Sequence, residues 1–450
     1  MQTSTIKFSQ IEDRIDAEYY KPEYLILNSK LKVQNSKFLD DLSQIITKGE
    51  TPLWRGDVYI SKGIPFLRVV NFINEELDLS DIVYIPEFVH ERMKRSQLKP
   101  GDVLLSMAGR IGTAVIVLEE LKVANINQAI AKIRLKEGLI NKYYLIVFLN
   151  SKYGLYQSLR KASGGVQNNI NFEDIKSIKI PTPSQSFQQK IEKMVKEAQE
   201  KRKLADEKYK EVEEILNKEL RLKDLDLSTQ KTFEAKFSEI WDRIDPEYYQ
   251  PIFNEIEKIF KKQKTVNLGD ISLEIKYGTS EDLFYVEKGI PFLRVTDINK
   301  FSNIEPIEGK FINNFDAERL KEYQVETDDI IISRTGTLGL AVYIDEKLDG
   351  AIYGSYFIKV KPRHKDLNNR FITFFISSKI GRLQTNRWAS GGIQTNLTID
   401  AIKSIRIPIL SWSIQQKIVS LIQESFNLRR EAKELIDRAR KEVEEMVEND

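Results

Sequence analysis

ASGGVQNNINFEDIKSIKIPTP, residues 162–183, returns as ASGGIQTNLTIDAIKSIRIPIL, residues 389–410. Each copy runs on into Gln-Gln-Lys-Ile and then into a long segment with helical periodicity and no proline. A repeat of this length must be recognised before any other feature, because it means that the chain consists of two similar halves.

Three further blocks occur in both halves and in the same order. DRIDAEYYKP and DRIDPEYYQP open the halves, and we expect their adjacent tyrosines to pack at a domain seam instead of stacking on bases. GIPFLRV predicts a buried strand that contains Arg68 or Arg294, where an arginine needs a partner. Strands on both sides of the glycine-rich turns at Gly109 and Gly336 predict a hairpin or a tight crossing.

The remainder of each half predicts helices and one last strand. Residues 141–161 and 367–387 are amphipathic, and a short helix begins at Phe172 or Ile399 before a strand that ends at a proline. The segments that follow carry a mixed heptad pattern, which suits two helices packed on each other and on a partner. The seam positions are Ile191, Met194, Ala198, Ala205, Val212, Ile215 and Leu222 in the first copy and Ile418, Leu421, Ser425, Leu428, Ala432, Leu435 and Ala439 in the second.

Composition restricts the class of protein. A chain of 450 residues, 41% apolar and 30% charged, is expected to be a soluble globular protein with two or more domains. It has no run of about 18 apolar residues and no secretory signal pattern, so we expect no membrane span and a cytoplasmic location. Without cysteine, and with only His90 and His364, structural zinc, a cysteine nucleophile and disulfides are excluded or nearly so.

A search for catalytic patterns gives none that both halves support. The Gly-x-x-Gly turns lack the Lys-Ser/Thr ending of a phosphate loop and lie between strands. Residues 245–248, DPEY, differ from the tetrad with which amino-methyltransferases hold a base, and the first half lacks both prolines. Glu274-Ile275-Lys276 has the local form of a nuclease motif but fits a solvated charge pair better, since the first half lacks the glutamate. We therefore predict no catalytic residue and no metal site in this chain.

The shared blocks do contain residues suited to nucleic acid. Arginine pairs with guanine, amides pair with adenine, and glycine loops let backbone amides approach phosphates. The alternative for any single amide is that it caps a turn or the next helix. The candidate DNA-binding residues are Lys48, Gly49, Thr51, Arg68, Arg110, Gln167, Asn168 and Asn169 in the first half and Lys276, Gly278, Thr279, Arg294, Arg334, Gln394 and Asn396 in the second.

Taken in order, these blocks resemble the specificity subunits of type I restriction-modification enzymes. The resemblance covers nearly the whole chain and is carried by the two GIPFLRV strands, the two Ser-Gly-Gly loops followed by Ile-Lys-Ser-Ile, and the Gln-Gln-Lys-Ile helix starts. It implies an α+β, internally duplicated fold with two α/β target recognition domains, each followed by a long helix, and an antiparallel coiled coil of the two helices. The implied boundaries are residues 1–185 and 229–412 for the recognition domains and 186–228 and 413–450 for the helices.

The same resemblance implies the function and the partners. The chain would recognise a bipartite, asymmetric sequence in double-stranded DNA, and the helices would set the spacing between the half-sites. It would carry no cofactor, because two methyltransferase (modification) subunits bring S-adenosylmethionine and the motor-nuclease (restriction) subunits bring ATP and Mg²⁺. Two alternatives remain open: a stand-alone DNA methyltransferase or nuclease, and a coiled-coil scaffold that binds protein but not DNA.

Overall fold

The computed structural model describes residues 5–6, 11, 14–25, 27, 35–52, 56, 58–162, 168–222, 230, 232–236, 240, 243–299, 301–304, 309–389 and 395–449. The chain forms two compact units. Unit 1 is Met1–Lys203 with Leu428–Asp450, and unit 2 is Leu204–Asn427. No helix of the described residues is long and apolar enough to cross a membrane.

Unit 1 is built on a four-stranded sheet, a three-stranded sheet and two two-stranded ribbons. Its strands are β1 (Ser36–Phe38), β2 (Ser43–Lys48), β3 (Ile64–Leu67), β4 (Phe72–Ile73), β5 (Glu76–Leu77), β6 (Val83–Ile85), β7 (Val103–Ser106), β8 (Ala114–Ile116), β9 (Asn125–Ile126), β10 (Ile130–Leu135) and β11 (Lys179–Pro181). The sheets have the orders β2-β10-β7-β8 and β6-β3-β9, while β1 pairs with β11 and β4 with β5. All pairs are antiparallel except β3 with β9.

Unit 2 repeats this topology. Its strands are β12 (Thr265–Asn267), β13 (Ser272–Tyr277), β14 (Ile290–Leu293), β15 (Lys310–Ile312), β16 (Ile330–Ser333), β17 (Ala341–Tyr343), β18 (Ile352–Tyr353), β19 (Phe357–Pro362) and β20 (Arg406–Pro408). The orders β13-β19-β16-β17 and β15-β14-β18, with the pair β12-β20, match those of unit 1. The predicted α+β duplication is confirmed.

Helices cover the sheets. They are α1 (Leu39–Leu42), α2 (Glu87–Arg92), α3 (Lys142–Asn150), α4 (Lys152–Lys161), α5 (Phe172–Lys176) and α6 (Gln185–Glu219), then α7 (Pro251–Lys261), α8 (Asn314–Arg319), α9 (Asn369–Ser377), α10 (Lys379–Trp388), α11 (Ile399–Lys403) and α12 (Trp412–Asn449). The predicted segment 141–161 is two helices, because Ser151 is extended and its Oγ accepts the Gly154 N–H. Ser378 is likewise extended before α10, and its side chain accepts the Gly381 N–H.

The two long helices run antiparallel inside each unit. In unit 1, Lys190 of α6 pairs with Glu442 of α12 at 2.6 Å, and Lys201 pairs with Glu431 at 2.7 Å. Residue numbers therefore rise along α6 as they fall along α12. In unit 2, Lys208 pairs with Glu424 at 2.9 Å and Lys417 with Glu211 at 3.1 Å. Most predicted seam residues are buried, and Ile215 and Leu428 are half-buried.

Each unit attaches an equivalent loop to the long helices by different chemistry. In unit 1, Glu75 of the β4–β5 hairpin pairs with Arg440 at 2.6 Å, and Glu76 pairs with Arg202. Burial raises the pKa of Glu75 and lowers the pKa of Arg202 to about 10, so both charges depend on these partners. In unit 2, the Tyr209 ring contacts Phe301 edge-on, with ring centroids 5.5 Å apart.

A buried aspartate differs in its partner between the units. Asp102 accepts hydrogen bonds from Nε and Nη2 of Arg134 at 2.7 and 2.6 Å. The equivalent Asp329 is 1% exposed, but Lys361 replaces the arginine and pairs with Glu326 at 2.5 Å. Within the described part of the chain, Asp329 Oδ1 has no hydrogen-bond partner, and burial raises the pKa of this carboxyl group.

We predict opposite responses to the same substitution at these two positions. Asp102→Asn leaves Arg134 without its carboxylate and costs about 2 kcal/mol of unfolding free energy, below the usual value for buried pairs because Arg134 is partly exposed. Asp329→Asn changes the unfolding free energy by less than about 1 kcal/mol near pH 4 and stabilises the protein at neutral pH. The sign follows from the raised pKa: the folded state favours the protonated form, so the wild type loses stability as pH rises through that pKa.

Urea unfolding of both variants at several pH values measures these differences. An Asp329→Asn variant whose stability relative to the wild type declines as pH rises contradicts the assignment.

Candidate DNA-binding surface

The β7–β8 turn of unit 1 lies against the amide-rich run. The Ile170 N–H donates to the Met107 carbonyl at 3.0 Å, and Ala108 and Asn169 form an isolated bridge. The turn and the run therefore bring Arg110, Asn168 and Asn169 to one exposed region. We call these three residues the amide corner of unit 1.

Lys48 and the start of α5 lie directly beside this corner. Lys48 is exposed at the end of β2, with its Nζ 5.4 Å from the ring centroid of Phe172, the first residue of α5. Asn171 caps α5, its side chain accepting the Asp174 N–H at 2.9 Å. Since Asn171 provides the side-chain cap, capping of the next helix does not account for Asn168 and Asn169.

Unit 2 forms the same corner with other side chains. The Leu397 N–H donates to the Arg334 carbonyl at 3.0 Å, and the Arg334 guanidinium lies 4.5 Å from the Tyr277 ring centroid. The Tyr277 hydroxyl accepts the Ile399 N–H at 3.1 Å. Arg334 and Asn396 are half-buried, so this corner is less cationic at its surface than that of unit 1.

The two halves align differently from what the residue types suggest. The Ser106 hydroxyl donates to the Arg110 carbonyl, as the Ser333 hydroxyl does to Thr337, so Thr337 and not Arg334 is the counterpart of Arg110. In the sheets, Lys48 pairs with Ala131, and the residue equivalent to Ala131 in unit 2, Ile358, pairs with Tyr277. The counterpart of Lys48 is therefore Tyr277, and Lys276 lies one position earlier in its strand. Both lysines lie in strands, and not at corresponding places in loops.

Arg68 and Arg294 do not lie inside a strand, contrary to the prediction. The strands end at Leu67 and Leu293, and each arginine instead precedes a short 3-10 helix. Arg294 pairs with Asp297 through Nη2 and Oδ1 at 2.5 Å, and Arg68 Nη2 donates to the Asp81 carbonyl at 3.2 Å. Arginine inside a buried strand would lose these partners.

Several other candidates are in close contact with residues of their own unit. A Cβ on Gly49 would lie 1.7 Å from the Ile126 carbonyl oxygen, and one on Gly278 would lie 2.3 Å from the Gly354 oxygen, so both glycines permit close backbone contact. Thr51 hydrogen-bonds Gln128, while Thr279 is buried.

Lys276 pairs with Glu322 at 2.7 Å, and this hydrogen bond raises the pKa of Lys276. Gln167 and Gln394 lie outside the described residues.

Two exposed cations were missed by the sequence search. Lys94 and Arg95 form part of a 3-10 helix that packs beside β2, the strand that ends at Lys48. The signal was present as the basic run ERMKRS, residues 91–96. Unit 2 has Lys321 and Glu322 in the equivalent 3-10 helix, where Lys321 pairs with Glu318 at 3.3 Å.

The acidic and histidine residues that a catalytic site would need have other partners where the structure describes them. No group of three or more acidic or histidine side chains there could hold a metal ion. Glu274 pairs with Lys359 at 3.0 Å, as a structural charge pair does. His90 is buried, its Nδ1 lies 3.2 Å from Asn125 Nδ2, and burial lowers its pKa.

Comparison with known proteins gives a consistent result. The model of the type I restriction modification DNA specificity domain matches residues 31–214 and again 260–438. The MjaX specificity subunit of Methanocaldococcus jannaschii, named as a type I restriction enzyme subunit, is 24% identical over 416 residues, 90% of each chain. The EcoBI specificity subunit of Escherichia coli is 28% identical over 181 residues, 38% of each chain.

Solved structures with similarity to the chain carry related names. The S subunit of a type I restriction-modification system from M. genitalium aligns with 92% of this chain and 97% of its own, at 15% identity and a TM-score of 0.45. The HsdS subunit from Thermoanaerobacter tengcongensis aligns with 92% and 95%, at 14% identity and a TM-score of 0.30.

The unit 1 corner yields a test of direct phosphate contact. Lys48→Ala and Arg110→Ala should each weaken binding of the chain to mixed-sequence duplex DNA and each reduce the slope of log K against log salt by about 1. Lys276→Ala is the matched control, because Glu322 already neutralises this lysine, and it should leave the slope nearly unchanged. Filter binding between 50 and 200 mM salt, about the range over which such contacts dominate, measures the slopes. Wild-type slopes for both Lys48→Ala and Arg110→Ala would exclude this corner as the contact surface.

Proposed function

Since the chain belongs to the family of type I restriction modification DNA specificity domains, which its sequence matches twice, we propose that it is the DNA-recognition subunit of a type I restriction-modification complex. Each unit would recognise one half of a bipartite, asymmetric target in double-stranded DNA. The long helices α6 and α12 would set the number of unspecified base pairs between the half-sites.

The observation that carries the proposal is a duplicated corner with unlike side chains. The backbone hydrogen bonds that hold the amide run against the turn are the same in both units. The side chains there differ, with Arg110 and Lys48 in unit 1 and Thr337 and Tyr277 in unit 2. A common scaffold carrying different donors and acceptors is what two half-sites of different sequence require.

The chemistry belongs to other subunits in this proposal. Two modification subunits would supply S-adenosylmethionine and methylate adenine, and restriction subunits would supply ATP and Mg²⁺ for translocation and cleavage. The chain would act by placing these subunits on the target, as a non-catalytic subunit. The structural charge pair at Glu274 and the buried His90 support this division, because both residues are engaged in holding the fold.

Sequencing of methylated DNA tests the function directly. Cells that express the chain with its modification subunits should carry one bipartite motif with an adenine methylated on each strand. Cells without the chain should lack that methylation. A stand-alone methyltransferase would methylate without the added subunits, and a scaffold that binds only protein would give no DNA affinity; either result would overturn the proposal.

Shortening the helices tests their role as a spacer. Deleting one heptad from α6 and one from α12 at facing seam positions removes about 10 Å of helix at 1.5 Å per residue. The gap between half-sites should shrink by about 3 base pairs at 3.4 Å each, while both half-sites stay the same. The methylated motif of the shortened variant gives both quantities, and an unchanged gap or an altered half-site contradicts the role.

A further inference from the structure

The corner of each unit holds one cation against one aromatic ring, but different positions supply them. In unit 1 the cation is Lys48, 5.4 Å from the Phe172 ring centroid. In unit 2 the counterpart of Lys48 is Tyr277, which supplies the ring, and the cation is Arg334 at 4.5 Å. A guanidinium is planar with donors in fixed directions, whereas an ammonium is a point charge. The two corners therefore offer different chemistry to a ligand.

Arg334 is held by its backbone and by the ring beneath its side chain. Its N–H donates to the Tyr356 carbonyl at 2.9 Å, and its carbonyl accepts the Leu397 N–H at 3.0 Å. Tyr277 is itself held, because its hydroxyl accepts the Ile399 N–H at 3.1 Å. The guanidinium thus has a preferred orientation before a ligand arrives, and this reduces the conformational entropy that binding would cost.

The donors of Arg334 are not used by an acid of the protein. Its Nε is buried without a hydrogen-bond partner, a property that it shares with Arg68, Arg387 and Arg440. Each of those three arginines pairs with a carboxylate through another nitrogen. Arg334 forms no such pair within the part of the chain that the structure describes. Its hydrogen-bonding capacity is therefore left for a ligand.

Unit 1 has no equivalent of this arginine. The counterpart of Arg334 is Met107, because the Ile170 N–H donates to the Met107 carbonyl as the Leu397 N–H donates to that of Arg334. Met107 is 7% exposed, and its side chain has no hydrogen-bond donor. A phosphate contact that positions the duplex would be useful in both units, since the DNA backbone is the same at every sequence. A donor present in one unit alone suits a contact with a base.

Guanine is the base that matches a guanidinium edge. It presents two acceptors in the major groove, N7 and O6, whereas adenine presents one acceptor beside a donor, and thymine and cytosine present a single acceptor or donor. The Tyr277 ring covers one face of the Arg334 guanidinium, so the edge of the group is the part that remains for a planar partner.

We propose that Arg334 recognises one guanine in the half-site bound by unit 2, and that Tyr277 is the residue that positions it. The inference rests on the proposed function and adds to it the identity of one base. Lys48, at the position of Tyr277, keeps its separate role in unit 1 as a phosphate contact.

Base analogues in the target duplex test the contact. The complex of the chain with its modification subunits is titrated with duplexes that carry guanine, 7-deazaguanine or inosine at each guanine of the half-site in turn. The first analogue lacks the N7 acceptor, and the second lacks only the amino group in the minor groove. At one position, the wild type should bind the 7-deazaguanine duplex about 10-fold more weakly and the inosine duplex nearly as tightly as guanine. Arg334→Met, which introduces the residue of unit 1, should bind all three alike.

The methylated motif gives a second readout. Arg334→Lys keeps the charge but loses the planar pair of donors, so the motif should accept other bases at one position of one half-site. Tyr277→Leu should relax the same position, whereas a purely structural role of the ring would weaken binding to all sequences equally. Arg319→Lys is the matched control, since Arg319 already pairs with Glu281 and Asp316, and it should keep the wild-type motif.

The possible outcomes separate this inference from the function on which it rests. A uniform loss of affinity in Arg334→Met, with a slope of log K against log salt reduced by about 1 and an unchanged motif, assigns Arg334 to a phosphate and overturns the inference. A relaxed position that is not a G·C pair overturns it too. The binding ratio needs no catalysis, so it decides the case for a variant that no longer supports methylation. A wild-type complex without a bipartite motif overturns the proposed function itself.

Discussion

Small side chains at the seam between α6 and α12 determine how the rest of each unit is assembled. Ala198 and Ala432 are fully buried in unit 1, and in unit 2 the Ser425 hydroxyl donates to the Ala205 carbonyl at 2.8 Å. A hydrogen bond from a side chain of one helix to the backbone of the other requires close approach, which larger side chains would prevent. The core of each unit therefore includes both helices. In unit 1 it contains Ile191 of α6 together with Val443 of α12.

The duplication has preserved the apolar framework and changed the polar contacts placed on it. Strand order, the serine caps and the turn hydrogen bonds agree between the units. Unit 2 has Lys361 where unit 1 has Arg134, and the ionic attachment of the loop in unit 1 corresponds to an aromatic contact in unit 2. Apolar core positions tolerate little change in volume, because each lost methylene costs about 1 kcal/mol. Partly exposed ion pairs contribute less and can be exchanged. The two units therefore differ mainly in their polar contacts.

The sequence predicted the fold well because its repeat reveals which segments belong together. The hairpin, the short helices, the last strands and the antiparallel seam are all present as expected. Site residues were harder to place, because residue type does not reveal register. Lys48 and Lys276 look equivalent in sequence but differ by one position in their strands. Arg68 lies just after the end of its strand, where its side chain donates to the Asp81 carbonyl.

The discontinuity of unit 1 has a consequence for synthesis. Ala439, Val443 and Val447 belong to the same apolar core as Leu39 and Leu42, although some 400 residues separate them along the chain. Contacts of such long sequence separation form late, and the first unit to emerge from the ribosome has to wait for the last helix before its core is closed. Unit 2, whose residues are contiguous, can close earlier. The half that is translated first is therefore the half whose core is completed last.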